Sequence, residues 1–304
     1  RHNTLVVILL TILIAALLVA AGFIVVRYVL PNMGDKEETI PETDPAELVE
    51  HLSVVMVAGE LYTLDHYPNL KSVDLSGSTF PVEDMAIIAL LPNLSSLTMA
   101  DCSLSTIEYL ENAAILTHLN LGYNTIRNLD VLKTMPHLKN LDLQHNAVNS
   151  LEVLSDLGNL ETLNVSFNAV SSLKPLNTCA LLREVVADNN ELTSLSGLKS
   201  LSRLELLSVD YNKITDISSL KYNTELKNVS IASNYLSDIS TIGRLSKLEI
   251  LDFSGNQVSE LPDWSDESPL QTIDGSYNVL ESIDSLSKLQ SLTHVYMDYN
   301  LITD

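Results

Sequence analysis

Aliphatic residues recur in a fixed register along most of the chain. Between residues 70 and 304 one pattern appears eleven times, and from Leu94 onward each repeat begins 22 residues after the one before. Counted from its first leucine, a repeat has apolar residues at positions 1, 4, 6, 11, 14, 17 and 20. Such self-similarity predicts a solenoid, because one unit is too small to bury its own apolar face and gains stability by stacking on neighbours. The repeats begin at Leu70, Leu94, Leu116, Leu138, Leu160, Leu182, Leu204, Leu226, Leu248, Leu270 and Leu292.

Each repeat combines a short strand with a return path. In the seventh repeat Leu204, Leu207 and Val209 alternate with polar neighbours as in a strand, and Ile214, Ile217 and Leu220 follow at longer spacing. Alternate strand residues point to opposite faces, so the second set must fill the return path around a shared apolar centre. The pattern therefore predicts an α/β solenoid with parallel strands along one face.

Position 9 is asparagine in nine of the eleven repeats. A buried turn leaves peptide groups without partners, and an amide side chain can both donate and accept hydrogen bonds. We therefore expect this column to bond to the backbone. The other two repeats have Ser78 and Cys102, and the asparagines are Asn124, Asn146, Asn168, Asn190, Asn212, Asn234, Asn256, Asn278 and Asn300.

The repeated string L-x-x-L-x-L-x-x-N-x-I at a period of 22 resembles the leucine-rich repeat family. Segments such as Asn212 to Leu220 and Asn234 to Ile239 resemble the short repeats of bacterial internalins and of a regulator of a Ser/Thr phosphatase. The resemblance covers about three quarters of the chain. It implies a horseshoe or arc with the sheet on its concave face, and a protein-binding scaffold whose partner differs between members.

The start of the chain has a different pattern. Residues 5–26 contain no charged residue and lie between Arg1 and Arg27. As a helix this segment would be about 33 Å long, enough for the hydrocarbon layer of about 30 Å. We therefore interpret residues 1–30 as a single transmembrane helix with its flanks. A cleaved signal peptide is the alternative, since Val19-Ala20-Ala21 offers small residues for cleavage.

Between this segment and the repeats, two short regions are predicted. Residues 31–45 are acidic and contain three prolines, which is typical of a solvated stalk. Residues 46–69 read as an N-terminal cap, with a helical turn over 46–52 and a β-hairpin whose strands are 53–57 and 60–64. The longer first repeat contains residues 81–91, whose pattern predicts a helix on the convex side. The later convex segments are expected to be single turns or 3₁₀ helices, and the last repeat reads as truncated.

The charge restricts the kind of partner. The chain has 39 acidic residues against 17 lysine and arginine residues, a net charge of −22, and the excess acid lies after residue 30. A polyanion such as nucleic acid is therefore not an expected partner. Basic proteins, cations or solubility alone remain open as reasons for the acidic excess.

No pattern indicates catalysis. The seven histidines form no metal-binding or nucleophile motif, and the ten glycines form no phosphate loop, so we expect neither an enzyme nor a cofactor. Cys102 and Cys179 stand three repeats apart, too far to pair, and are read as core residues. Asp188 and Asp210 occupy position 7 of adjacent repeats, so they could share Ca²⁺ or simply form a solvated acidic face.

The solvent-facing strand positions are the candidate binding surface. Positions 3, 5, 7 and 8 of successive repeats should stand side by side on the concave face. Aromatic residues recur at position 8, where they could anchor a partner or only pack on one another. Val186, Leu206 and Ile250 stand where other repeats have polar residues. The candidate partner-binding residues are Tyr123, His145, Phe167, Val186, Asp188, Leu206, Asp210, Tyr211, Ile250, Tyr277, Tyr296 and Tyr299.

Three functions fit these patterns. The first is a membrane-anchored, outward-facing recognition protein, such as a bacterial surface adhesin or receptor ectodomain that binds a protein on its concave face. The second is a cytosolic-side regulator that resembles the phosphatase-binding members, and the third is the sensor half of a receptor enzyme. We favour the first, with the repeats outside the cell membrane, although the charges that flank residues 5–26 do not decide the orientation.

Overall fold

The computed structural model of the protein describes residues 55–57, 60–62, 70–80, 82 and 85–303. The predictions of a transmembrane helix over 5–26, a stalk over 31–45 and a helical turn over 46–52 lie outside these residues. Within the described part of the chain, no helix is both long enough and apolar enough to cross a bilayer. The chain divides into two compact units, Arg1–Pro68 and Asn69–Asp304.

The first unit contains the predicted hairpin. Strand β1 (Val55–Val57) pairs antiparallel with β2 (Glu60–Tyr62), with Met56 opposite Leu61. Residues 53, 54, 63 and 64 of the predicted strands lie outside the described residues.

The second unit contains one parallel sheet of eleven strands, whose order follows the chain. Each strand covers positions 3 to 5 of its repeat, and position 3 pairs with position 3 of the neighbour, as for Leu206 and Asn228. The 22-residue period thus sets the register directly. The strands are β3 Ser72–Asp74, β4 Ser96–Thr98, β5 His118–Asn120, β6 Asn140–Asp142, β7 Thr162–Asn164, β8 Glu184–Val186, β9 Leu206–Ser208, β10 Asn228–Ser230, β11 Ile250–Asp252, β12 Thr272–Asp274 and β13 His294–Tyr296.

Backbone pairing continues beyond the strands. The position 6 amide donates to the next repeat's position 5 carbonyl, as from Val209 to Ser230 at 2.9 Å. The position 8 amide donates to the next repeat's position 7 carbonyl, as from Tyr211 to Ala232 at 3.0 Å. Amides 6 and 8 therefore point along the sheet, and the position 7 amide between them needs another acceptor.

The return path is made of short helices, as the sequence predicts. The first repeat has the helix α1 (Met85–Ile88), which ends three residues before the end of the predicted segment 81–91. Residues 81, 83 and 84 of that segment lie outside the described residues. In the ninth repeat a segment around the buried Trp264 replaces the helix. The 3₁₀ helices are Glu108–Leu110, Asp130–Thr134, Glu152–Asp156, Lys174–Thr178, Ser196–Leu198, Ser218–Tyr222, Ser240–Arg244 and Asp284–Lys288.

The apolar positions form one continuous core. In the seventh repeat Leu207 is 1 % exposed and Leu204 and Val209 are fully buried. Each such leucine contributes about 1.5–3 kcal/mol to folding when it leaves water. In the last repeat the residue equivalent to Leu207 is Val295, which is 44 % exposed. The repeat that follows a strand is therefore needed to bury the side chain at position 4 of that strand.

The asparagine column confirms the prediction that these side chains serve the backbone. The Asn212 Nδ2 donates to the carbonyls of Val209 and Asp210 in its own repeat and of Ala187 in the repeat before. Its Oδ1 accepts from the amide of Leu192 at 2.9 Å. One buried side chain therefore makes four hydrogen bonds, two of which join its repeat to the preceding one.

The two cysteines are buried and unpaired, as expected. The Cys102 thiol at position 9 donates to the Leu75 carbonyl at 3.1 Å, the site that an asparagine amide would occupy. The Cys179 thiol donates to the Leu154 carbonyl of the preceding repeat at 3.2 Å.

Replacing Asn212 by Ala should lower the free energy of unfolding by about 3 kcal/mol, because buried carbonyls and an amide lose their partner and each such loss costs about 1–3 kcal/mol. The exposed Asn159, whose amide donates to the Pro136 carbonyl, provides the control. Asn159→Ala should cost less than about 1 kcal/mol in the same denaturant titration. Equal losses would show that the column does not join the repeats.

Candidate functional site

The sheet presents one solvent-facing surface, which we call the concave face. It consists of positions 3, 5, 7 and 8 of the eleven repeats. Positions 3 and 5 flank the inward-pointing position 4, which is why the burial of most strands alternates. A depression of about 450 Å³ lies on the five strands β4 to β8 and is lined by residues of these strands, the first of which is Ser96 and the last Val186.

Position 8 has a left-handed backbone in every repeat. Its φ is 58° at Tyr123, 51° at His145 and 56° at Phe167. This conformation costs an L-amino acid about 1–2 kcal/mol. Two repeats have glycine there, Gly77 and Gly255, and these glycines are the sequence signal that could have revealed the strain. The backbone therefore does not favour aromatic residues at this position.

The aromatic side chains of position 8 form two stacks. The ring of His145 lies between those of Tyr123 and Phe167, with centroid distances of 4.3 and 4.0 Å. Tyr277 and Tyr299 form the second stack at 4.4 Å. Such contacts contribute about 0.5–1.5 kcal/mol each, which offsets part of the backbone strain. Packing between neighbouring rings thus explains part of the recurrence of aromatic residues at position 8.

Stacking does not hide these rings. Tyr123, Phe167 and Tyr277 remain 52, 45 and 58 % exposed. Tyr211 has no aromatic neighbour at position 8, because Asn189 and Ser233 flank it, and it is 62 % exposed. The aromatic residues therefore add apolar surface to the concave face. Tyr296, at position 5 of the last repeat, adds more and is 47 % exposed.

The three aliphatic candidates do not form one patch. Leu206 pairs in register with Glu184 and Asn228, and Val186 lies diagonally across from it. Ile250 is separated from Leu206 by Asn228 on β10. Val186 and Leu206 are partly buried, whereas Ile250 is 44 % exposed.

The position 7 amide is bonded in two different ways. In six repeats this amide donates to the Asp or Asn side chain at position 5 of the same repeat. The Ser254 amide, for example, donates to the Asp252 carboxylate at 2.9 Å. The sixth repeat has Val186 at position 5, which has no acceptor. There the Ser166 hydroxyl of the preceding repeat accepts from the amide of Asp188 instead. The six pairs are Asp74–Ser76, Asn120–Gly122, Asp142–Gln144, Asn164–Ser166, Asp252–Ser254 and Asp274–Ser276.

The same substitute arrangement continues through the next two repeats. The Asp188 carboxylate accepts from the amide of Asp210 at 2.8 Å and from the Ser208 hydroxyl at 2.7 Å. The Asp210 carboxylate accepts from the amide of Ala232 at 2.7 Å and from the Ser230 hydroxyl. Each of the two carboxylates thus accepts hydrogen bonds from the repeat that follows it. Within the described residues, no group of three or more His, Cys, Asp or Glu side chains is arranged to hold a metal ion.

Solved structures similar to this chain identify the architecture. Internalin InlF of Listeria monocytogenes has 22 % identity and a TM-score of 0.62, over 81 % of this chain and 86 % of that one. A leucine-rich repeat protein of Leptospira interrogans has 24 % identity and a TM-score of 0.68, over 79 and 70 %. The fold is that of leucine-rich repeat proteins.

A third similar structure comes from a plant. The ectodomain of the Arabidopsis thaliana membrane receptor kinase GASSHO1/SCHENGEN3, solved with CASPARIAN STRIP INTEGRITY FACTOR 2, has 23 % identity and a TM-score of 0.68. The match covers 77 % of this chain and 30 % of that one. No protein-family model matches the chain, and a search of curated proteins found no similar sequence.

In the part of the chain that the structure describes, the ion pairs lie beside the concave face and not on it. Position 2 carries an alternating series in which Glu161 pairs with Lys139, and Glu205 pairs with both Arg183 and Lys227. Two more pairs join position 10 and position 22 of neighbouring repeats, Lys213–Glu191 and Lys247–Glu225. Every pair links residues one repeat apart, which the sequence pattern alone did not reveal.

Burial raises the pKa of the Asp210 carboxyl group to about 6, and the nearby carboxylates of Asp188 and Asp252 also raise it. The hydrogen bonds from Ser230 and Ala232 act in the opposite direction without cancelling the effect of burial. The folded protein therefore binds this proton more tightly than the unfolded chain. The group stabilises the fold most when protonated, and that contribution is lost as the pH rises through 6.

Asp210→Asn should remove this dependence, because the amide oxygen still accepts from Ala232 and carries no charge. We expect the variant to be at least as stable as the wild type at pH 7.5 and to gain less stability between pH 7.5 and 5. Asp238→Asn is the control, since hydrogen bonds from Ser240 lower the pKa of Asp238 and keep it charged at both pH values. Unfolding free energies from denaturant titrations at the two pH values test this. A wild-type pH dependence retained in Asp210→Asn would contradict the assignment.

Proposed function

We propose that the protein is a membrane-anchored recognition scaffold that binds a protein partner on its concave face, as a bacterial surface adhesin or receptor ectodomain does. The observation that carries this proposal is the solvent-exposed aromatic and aliphatic surface on a rigid parallel sheet. Protein-recognition sites combine such anchors with a polar surround. The concave face has that composition, because the anchors stand among Asp, Asn, Ser and Thr side chains.

The similar structures support the same kind of function. They are internalins, other leucine-rich repeat proteins and a plant receptor ectodomain, which was solved with CASPARIAN STRIP INTEGRITY FACTOR 2. Stacked short repeats provide an extended surface on which a partner contacts several repeats at once. Recognition by such a surface needs no catalytic group.

The proposed contact residues differ in what they can contribute. Asp188 and Asp210 hold neighbouring repeats, so their substitution would change the surface and the fold together. The stacked aromatic rings and the aliphatic side chains support no backbone group. Phe167 and Leu206 therefore provide the sharpest test, since they are central and their side chains make no hydrogen bond.

The double variant Phe167→Ser and Leu206→Ser should lose binding to protein fragments selected from a displayed library by the wild-type chain. We expect dissociation constants at least tenfold higher, the size of effect typical of anchor residues. The control is Ile115→Ser with Tyr222→Ser, which removes one aliphatic and one aromatic side chain, both exposed, at position 22 and on a 3₁₀ helix. The control should bind like the wild type, and both variants should keep thermal midpoints within a few degrees. Equal binding by all three chains would overturn the proposal.

Residues 5–26 are proposed to anchor the chain with the repeats outside the cell. Full-length protein should stay in the membrane fraction after alkaline carbonate extraction, and added protease should digest the repeats on intact cells. A variant with Leu9, Leu10 and Leu17 changed to Lys should be found in the soluble fraction, because charges at the centre of a span are costly. Repeats protected from protease until the cells are opened would contradict the orientation.

A further inference from the structure

We infer that the partner binds through a basic polypeptide segment, whose lysine and arginine side chains meet the carboxylates and aromatic rings of the concave face. This inference rests on the proposed function and specifies the chemistry of the bound segment. It arises from the placement of charge across the repeats.

The concave face contains no lysine or arginine. From Leu70 onward the chain has fourteen such residues, and all of them lie at other positions of the repeat. Nine acidic residues, in contrast, stand on the concave face. They are Asp74, Asp101, Asp142, Glu184, Asp188, Asp210, Asp252, Asp274 and Asp298.

Most cations closest to this surface are already paired. Four stand at position 2, directly before the strands; Lys139, Arg183 and Lys227 each bind a glutamate of the neighbouring repeat, and Lys71 forms no ion pair with a described residue. Three glutamates, Glu161, Glu205 and Glu249, also stand at position 2, so four cations face three anions there and the nine acids of the concave face stay almost uncompensated. The resulting potential attracts cations and repels polyanions.

Three of the nine acids, Asp101, Glu184 and Asp298, are exposed, and their carboxylates accept no hydrogen bond in the structure. Glu184 and Asp298 stand in the sixth and eleventh repeats, at the two ends of the part of the concave face that carries Leu206, Tyr211, Ile250 and Tyr277. Glu184 lies beside Leu206 in the register of the sheet. Asp298 lies near the Tyr277–Tyr299 stack: partial desolvation and Tyr299 raise the pKa of Tyr277, and the Asp298 carboxylate raises it further. Each of these two acids is thus next to an apolar candidate residue.

The aromatic rings complement the carboxylates as partners for cations. The exposed faces of aromatic rings attract ammonium and guanidinium groups, with about 0.5–1 kcal/mol at exposed sites. Tyr211, Tyr277 and Tyr299 are 62, 58 and 74 % exposed. A lysine or arginine side chain can lie over such a ring while its charge faces a carboxylate.

A polypeptide with several cations fits this array better than a small ion. Glu184 is on β8, and Asp298 follows β13 within the last repeat. Their repeats are five strand spacings apart, which corresponds to about 24 Å at about 4.8 Å per spacing. An extended segment of about eight residues spans that distance. Its two ends would each contact one carboxylate, and its middle would cross Leu206, Tyr211 and Ile250. Affinity then comes from several weak contacts made together.

The test uses the full chain and a twelve-residue fluorescent peptide, Lys-Arg-Lys-Gly-Ser-Gly-Ser-Gly-Ser-Lys-Arg-Lys, whose anisotropy is followed at 20 and 200 mM NaCl. Glu184→Gln and Asp298→Asn should each weaken binding about threefold at low salt, and together about tenfold, since exposed charge pairs contribute up to about 1 kcal/mol. The differences should shrink at high salt. Asp130→Asn with Glu152→Gln removes the same charge from two 3₁₀ helices and should leave the affinity unchanged.

A matched peptide with Glu in place of Lys and Arg should not bind. Equal binding of both peptides, or equal effects of the concave and control variants, would overturn the inference. The proposed function can survive that result. If library-selected binders depend on Phe167 and Leu206 but are not basic and do not respond to salt, protein recognition stands and the basic segment is wrong.

Discussion

The stacking of repeats depends on hydrogen bonds that each repeat can complete only with its neighbours. A strand of three residues followed by a sharp turn leaves peptide groups facing the core, where an unpaired group costs about 1–3 kcal/mol. The position 9 asparagine meets this demand by donating to carbonyls of its own and of the preceding repeat, and by accepting from an amide of the preceding repeat. The apolar core supplies the driving force, and the asparagine column fixes which atoms must meet.

This constraint also limits how much of the concave face is free for binding. The position 7 amide donates to a side chain, either that of position 5 in its own repeat or one of the preceding repeat. Where Val186 provides an apolar surface at position 5, Ser166 takes over the bond, and Asp188 and Asp210 do the same for the next two repeats. An apolar residue on the surface thus coincides with polar residues beside it that serve the backbone.

The regular features of the fold were predictable because they repeat. The 22-residue repeat predicted the parallel sheet, the short helices of the return path, the core positions and the role of Asn212. The candidate site was predictable only in part. The left-handed backbone of Tyr123 or Tyr211 is not a preference of tyrosine, and only the glycines at positions 77 and 255 hint at it. The hydrogen bond from the Asp210 amide to the Asp188 carboxylate was not predictable from the sequence. The sequence does not show that the Ser208 hydroxyl and the Asp210 amide face the same carboxylate. Membrane insertion of residues 5–26 and the proposed contacts remain predictions.

The left-handed position before each asparagine has one further consequence for how such a surface can change over time. Its backbone is imposed by the turn, and its side chain leaves the sheet at the border of the concave face, so tyrosine, phenylalanine, histidine, asparagine, serine and glycine all occur there within this one chain. Mutation can therefore rewrite that border one repeat at a time while the interior stays intact. A scaffold of this type can acquire new specificity by gradual steps, none of which passes through an unfolded protein.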